Sequence, residues 1–439
     1  MSEQVGRRVV VTGMGLVSPL GNSPAALWDA LAAGQSGVRP LTRLPMDALP
    51  MSYGAEATQF NADISDFGPL DKNMQRTIRK GLKVMCREIQ MAVASAQLAL
   101  VDARLDAAQR NPERTGVTFG SDYIATVPEE MTDAIRNCLD EAGKFQWERW
   151  AEFGLPKIDP LWLLKYLPNM PASHVAIYND LRGPSNSITL REASGNLTLG
   201  EAFATIRRDS ADAIVAGATG TRLHPIKSVQ VVLQEQVAKA DVPPAEASRP
   251  FDRERLGMVL GEGAGVVVLE ELTTATRRGA TPIAEILGQG ASTVADVRGK
   301  ANLEEAMYLA ARRALEESRI APDQLGHVNA HGLATSDMDR AEARALQRLL
   351  GEAASRVPVV AAKSYFGNLG AGGSMVELMA SILAMRHGRL FPILNYRTPD
   401  PECPVRAVTS HDVPAGETVL KLSCTPLGQA SALVVRSIR

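Results

Sequence analysis

The chain is sparing with the residues that usually announce chemistry. Its 439 residues hold four cysteines, six histidines and only 5% aromatics. Cys86, Cys138, Cys403 and Cys424 show no CxxC or other ligand spacing, so neither a zinc site nor a disulfide framework is indicated. An excess of either charge is missing too. The 47 basic and 49 acidic residues leave a net charge of −2, which gives no support to nucleic-acid binding. No uncharged apolar run approaches the roughly 20 residues that span a membrane. The opening MSEQVGRRVVVTG goes directly into a strand with no leader pattern, so a cytoplasmic location is expected. Two cofactor motifs fail as well. Gly13 and Gly15 lack the third glycine of a dinucleotide fingerprint, because Ser18 stands there. The glycines of 257–272 have no Gly-Lys-Ser/Thr and make no phosphate loop.

What remains is an ordinary globular balance, 45% hydrophobic and 22% charged. The length exceeds what one core usually serves, so two subdomains or a duplicated fold are expected. Apolar runs at 8–12, 115–121, 187–190 and 212–219 read as strands, as does the end of 257–272. Helical patterns cover 24–33, 71–100 and 129–142, the last with Gly143 as a stop. Beyond 272 the grammar repeats. Strands at 283–288, 327–330 and 357–361 alternate with helices at 303–318, 339–351 and 373–387, and strands at 418–423 and 430–437 close the chain. Such alternation predicts mostly parallel sheets covered on both faces, in two halves, 1–272 and 273–439.

One stretch organises the rest, LRGPSNSITLREASGNLTLG at 181–200. It reads as a turn, a short strand, a tight corner at Arg191-Glu192, and a helix that is small or apolar nearly all round. Such a helix belongs at the centre of a domain. Free backbone N–H groups and the helix dipole make the corner a place to present a nucleophile. Glu192 sits on it. Burial would raise the pKa of its carboxyl and the helix N-terminus would lower it. The sequence leaves that contest open.

GPS-x-S-I-x-x-x-x-x-SG at 183–195 resembles the active-site segment of the beta-ketoacyl-acyl-carrier-protein synthases. VVVTGMGLVSPLGNS, ASRPFD, GEGAGVVVLEEL, Asn329-Ala330-His331-Gly332 and Lys363-Ser364-Tyr365-Phe366-Gly367-Asn368 are similar to further family segments. The resemblance covers nearly the whole chain outside 122–170. It implies an α/β, thiolase-like five-layer αβαβα sandwich of two similar halves. It also implies that the corner should carry the acyl-bearing cysteine, so Glu192 occupies the nucleophile position. His331 matches the first family histidine, with Asp339 and Glu342 following it. Asn368 replaces the second histidine, and Lys363 keeps its family position and would pair with Glu342 by analogy. Thr335 matches a substrate-contacting threonine, whereas Leu333 stands where another is common. On an ungapped count Pro426 falls on the phenylalanine of a G-F-G-G turn that lends an N–H to the acyl oxyanion, and proline has none. Cys424, on a strand or turn with no histidine near it in sequence, does not stand in for the nucleophile. Lys72, Arg76, Arg79 and Lys80 correspond to the region that docks an acidic acyl carrier protein, although a solvated helix face reads the same way.

These readings point to a non-condensing subunit akin to chain-length factors, with Glu192 as a plug. Two alternatives stay open: a malonyl-carrier-protein decarboxylase using His331 and Asn368, and an acyl- or carrier-binding scaffold without chemistry. Ordinary condensation is least supported, since nucleophile, histidine and oxyanion donor all change. No cofactor or metal is expected, phosphopantetheine arriving only on a partner carrier protein. The expected assembly is a homodimer, or a heterodimer with a cysteine-containing ketosynthase, joined through a continuous sheet. The divergent insertion 122–170 holds three of the four tryptophans, Trp147, Trp150 and Trp162. Aromatics gathered in an insertion suggest a partner contact or lid more than a local mini-core.

Overall fold

The computed structural model describes residues 6–44 and 49–438. The first half runs β1 (Val9–Val17), α1 (Pro24–Ala32), β2 (Arg39–Pro40), β3 (Tyr53–Gly54), α2 (Lys72–Gly81), α3 (Arg87–Asp102), β4 (Thr115–Ser121), α4 (Glu129–Arg136), α5 (Met170–Asn179), β5 (Ser185–Thr189), α6 (Ser194–Arg207), β6 (Ala213–Thr221), α7 (Pro225–Gln234) and β7 (Glu262–Glu271). The second half runs α8 (Leu272–Arg277), β8 (Ala284–Thr293), α9 (Leu303–Ser318), β9 (His327–Asn329), α10 (Ser336–Leu350), β10 (Val359–Val360), α11 (Lys363–Phe366), α12 (Gly373–His387), β11 (Thr418–Cys424) and β12 (Gln429–Ser437).

Ten strands form one sheet in the order β10-β9-β11-β12-β8-β1-β7-β6-β4-β5. Outward from the centre, each half places its first strand, then its last, then its fourth, second and third. The topology is therefore duplicated although the sequence shows no clear repeat. The halves meet where β1 pairs with β8, over Val9–Val11 only. Helices α6 and α12 pack between the halves, α3 and α5 cover one outer face, and α9 and α10 cover the other. These are the five layers of the thiolase-like sandwich. The middle helices are small-sided and apolar because both flanks are protein: Gly373 to Met385 are all buried.

The sheet is mixed, where the apolar runs suggested mostly parallel pairing. β4 pairs in parallel with β5 and β6, as β9 does with β10 and β11, but β1–β7, β1–β8, β6–β7, β8–β12 and β11–β12 are antiparallel. A strand buried on both faces reads as one apolar run whichever way it points, so the sequence does not encode direction. Two helix lengths also differ from the sequence reading. The segment 71–100 breaks into α2 and α3 at Met85 and Cys86, which are extended, after a 3-10 turn over Leu82–Val84. Gly81, still helical, lets α2 approach α5, since a Cβ there would lie 1.8 Å from the Tyr178 hydroxyl. The predicted 129–142 helix stops at Arg136. Beyond it the Asp140 carboxylate accepts the N–H groups of Ala142 and Lys144, a local bond that competes with helix.

Candidate active site

The corner between β5 and α6 is built from local bonds. Arg191 takes a left-handed φ of 49°, which turns the chain sharply before a short 3-10 turn carries it into α6. The Ser194 hydroxyl accepts the Leu190 N–H at 2.7 Å and donates to Ser121 O at 3.0 Å, tying the corner to the end of β4. Gly195 lets α6 approach α12, since a Cβ there would lie 2.1 Å from Ser374 Oγ. Glu192 is thereby held 2% exposed, between the sheet ends.

Donors converge on one oxygen of its carboxylate, Oε1, whereas Oε2 accepts no hydrogen bond among the described residues. Arg222 Nη2 binds Oε1, Asn368 Nδ2 donates to the same oxygen at 3.0 Å, and Arg191 Nε lies 3.4 Å from Oε2. The ionic chain continues outward. Arg222 Nη1 reaches Asp122 at 3.0 Å, and Arg191 Nη2 reaches Glu235 at 2.5 Å. Burial alone would push the Glu192 pKa up. The guanidinium of Arg222, that of Arg191 and the Asn368 amide outweigh it and hold the carboxyl well below its ordinary value. Glu192 is an anion at neutral pH. Arg222 is 1% exposed and is the largest fully buried side chain among the described residues.

His331 follows β9 on a loop gripped by two buried carboxylates. Glu342 accepts the N–H of His331 at 2.6 Å and that of Gly332 at 2.8 Å. Asp339 accepts those of Leu333, Ala334 and Phe251. Gly332 has φ 48°, and a Cβ there would lie 2.7 Å from Ala361 Cβ. Burial, then the Lys363 ammonium, push the His331 pKa well down, so the ring is neutral. Lys363 Nζ lies 3.3 Å from Nδ1, which makes Nδ1 the acceptor and puts the proton on Nε2. Nε2 has no hydrogen-bond partner among the described residues. Asn368 is oriented from the other side. Its Oδ1 accepts the Gly370 N–H at 3.0 Å, so its NH2 must face Glu192.

The expected Lys363–Glu342 pair is not formed. Lys363 Nζ binds Glu377 at 2.7 Å and donates to His331 O at 2.8 Å. The Glu342 carboxylate is already engaged by two backbone N–H groups. Lys421 also reaches Glu377, at 2.7 Å, so one carboxylate bridges two buried lysines. Cys424 is a buried thiol whose pKa is pushed up by burial, then by Glu342 and Glu192, so it supplies no thiolate. Thr335 caps the start of α10 without a side-chain bond to it. Pro426 lies half-buried on the turn between β11 and β12, closed by Thr425 N–H to Gln429 O at 2.9 Å. Among the described residues, neither joins the hydrogen bonds and ion pairs around Glu192.

Two family models match the chain: the N-terminal domain of beta-ketoacyl synthase over residues 6–275 and its C-terminal domain over residues 283–397. The chain belongs to the beta-ketoacyl synthase family. It is 36% identical to the 3-oxoacyl-[acyl-carrier-protein] synthase 2 of Coxiella burnetii over 401 residues, 90% of each chain. It is also 36% identical to the ketoacyl synthase alpha subunit of the tetracenomycin polyketide synthase of Streptomyces glaucescens, over 92% of this chain and 90% of that one. Among solved structures it resembles the ishigamide ketosynthase/chain length factor, with a TM-score of 0.83 and 26% identity, covering 99% of this chain and all of that one.

In this family member the remaining sequence candidates lie apart from the corner. Lys72, Arg76, Arg79 and Lys80 are exposed on α2, and none makes an ion pair among the described residues. The insertion folds into helix α4 and a series of short turns with a loose aromatic cluster, Phe145 lying 4.9 Å from Trp147 and 6.0 Å from Trp150, and Trp147 stays 76% exposed. No cluster of metal-ligating side chains occurs among the described residues, and no described helix is long and apolar enough to cross a membrane. Arg222, Asp122, Glu235, Glu377 and Lys421 were not singled out by sequence reasoning. Two carried a signal. Arg222 directly follows an apolar strand, and Lys421 interrupts one, and a charge in a strand buried on both faces requires a partner.

Proposed function

We propose that this chain is a ketosynthase-family subunit that does not condense, and that it works beside an active beta-ketoacyl synthase in fatty-acid or polyketide-type synthesis. The observation that carries this reading is the ionised Glu192 carboxylate on the corner where the family resemblance puts the nucleophilic cysteine. A carboxylate is a poor acceptor for an acyl group from a thioester. Losing an essential nucleophile costs on the order of 10⁶-fold in a well-studied protease. The histidine and asparagine that would stabilise an enolate are present, but the Asn368 N–H is engaged by Glu192, which weighs against the decarboxylase reading. The four α2 cations, without ion-pair partners among the described residues, suit an acidic carrier protein. The free cysteines suit a reducing cytoplasm. β5 ends the sheet with one side unpaired among the described residues and its own residues half-exposed or exposed, an edge suited to a partner strand.

The test is acyl transfer. Wild-type chain incubated with labelled acyl-carrier-protein thioester should gain no covalent acyl group by intact mass. An acyl adduct on the wild type would overturn the reading. Co-expressed with a cysteine-bearing beta-ketoacyl synthase, the chain should co-purify as a heterodimer. A stable lone monomer under those conditions would remove the partner role.

A further inference from the structure

The surroundings of Glu192 have the composition of a receptor for a free carboxylate. Two guanidiniums and one amide converge on it, from three separate elements: Arg191 on the corner, Arg222 after β6, and Asn368 after α11. Each is itself positioned by a second partner: Glu235 for Arg191, Asp122 for Arg222 and the Gly370 N–H for Asn368. Donor capacity is left over. Arg222 Nε and His331 Nε2 have no hydrogen-bond partner among the described residues, and both residues are fully buried. The ionic lining continues behind Arg222. Lys227 Nζ binds Glu88 at 2.8 Å and lies 5.1 Å over the Tyr123 ring, with both charges buried. A hydrocarbon chain entering here would strip ion pairs of their partners without replacing them, which is costly. A small anion would not.

We propose that Arg222, Arg191 and Asn368 form a buried binding site for a short carboxylate, and that Glu192 is its occupant in cis. Beyond Cβ the Glu192 side chain is a CH2 bearing a carboxylate, so Glu192→Ala vacates the volume of one acetate. Acetate enters that space and restores the lost ion pairs to Arg222 and Arg191. The proposal rests on Glu192 being the resident anion of a non-condensing site. It is tested without any acyl transfer, so its failure is separable from failure of that reading.

The experiment is thermal unfolding of full-length Glu192→Ala in acetate or chloride at equal ionic strength, pH 7. Acetate should raise Tm by a few degrees in a concentration-dependent manner. Acetamide, neutral and nearly isosteric, should not, and wild type should show no acetate-specific shift. In Glu192→Ala with Arg222→Met the acetate effect should vanish. A folded Glu192→Ala with equal Tm in both salts overturns the proposal. Glu192→Gln keeps the volume and removes the charge, and gives an answer even if Glu192→Ala does not fold. It should melt below wild type, and a Tm equal to or above wild type would mean that the site needs no carboxylate.

Discussion

At the scale of single residues, Arg222 decides the character of the site. It joins Glu192 to Asp122 in a fully buried place, and removing one partner of such a pair leaves the others uncompensated. Arg222→Met should therefore cost about 3–5 kcal/mol, measured by denaturant unfolding. Replacing Glu192 and Asp122 by apolar residues in the same chain should recover most of that loss, because a well-packed apolar cluster avoids the desolvation of ions. A wild-type-like Arg222→Met would show that the ionic chain contributes little. Titration divides the buried acids into two classes with opposite signs. Burial pushes Asp339 up to about 6 and Glu342 up to about 7. The folded chain keeps those protons after the unfolded chain has lost them, so these groups favour the fold at low pH and their contribution is lost as pH rises through about 7. Glu192 is depressed, so its contribution is present above its ordinary value of 4.5 and is lost as pH falls below it. Unfolding free energy should fall between about pH 4 and 7, from the ordinary carboxyl values to the raised ones, by up to about 1.4 kcal/mol per pH unit for each proton involved. The slope should shrink in Glu342→Gln, and an unchanged slope would assign the effect elsewhere.

At the scale of elements, what the sequence made legible followed from pattern, and what it hid followed from tertiary contact. The 181–200 stretch announced its turn, strand, corner and central helix, because small residues all round a helix leave no solvent face. The break between α2 and α3 was hidden, since no glycine or proline marks Met85 and Cys86, where the chain turns extended, and the reason for the helical Gly81 is a tyrosine 97 positions away. Glu192 itself was legible, but its charge state was not. The sequence offered burial and a helix end as opposing effects, whereas Arg222 and Arg191 decide the outcome. The Lys363 partner was misassigned for a related reason: the choice between Glu342 and Glu377 depends on which carboxylate already accepts backbone N–H groups. Helix α2 carries the prediction proper to this scale. Reversing Lys72, Arg76, Arg79 and Lys80 to glutamate should weaken binding of an acidic carrier protein at least tenfold at low salt, with a flatter salt dependence, and should leave Tm within a degree or two. Unchanged carrier affinity by calorimetry would move the docking surface off this helix.

At the scale of the molecule, the duplicated strand order explains why two halves with little visible likeness still build one site. The first half presents Glu192 and Arg222, and the second presents His331, Lys363 and Asn368. The alternation of runs was enough to indicate layers and halves, and family segments supplied the thiolase-like arrangement. Strand direction was beyond reach, because an apolar run is the same read either way. The sheet stops at β5, Ser-Asn-Ser-Ile-Thr, whose outer amides face no strand among the described residues. Short and polar, such a margin resists indiscriminate sticking. It still leaves a row of donors and acceptors for one matching ribbon, and that ribbon would extend the layer that begins behind the carboxylate corner. Whatever completes this margin would sit one strand from β4, the strand whose end ties down the corner, and so would bear on the geometry of a site it does not touch.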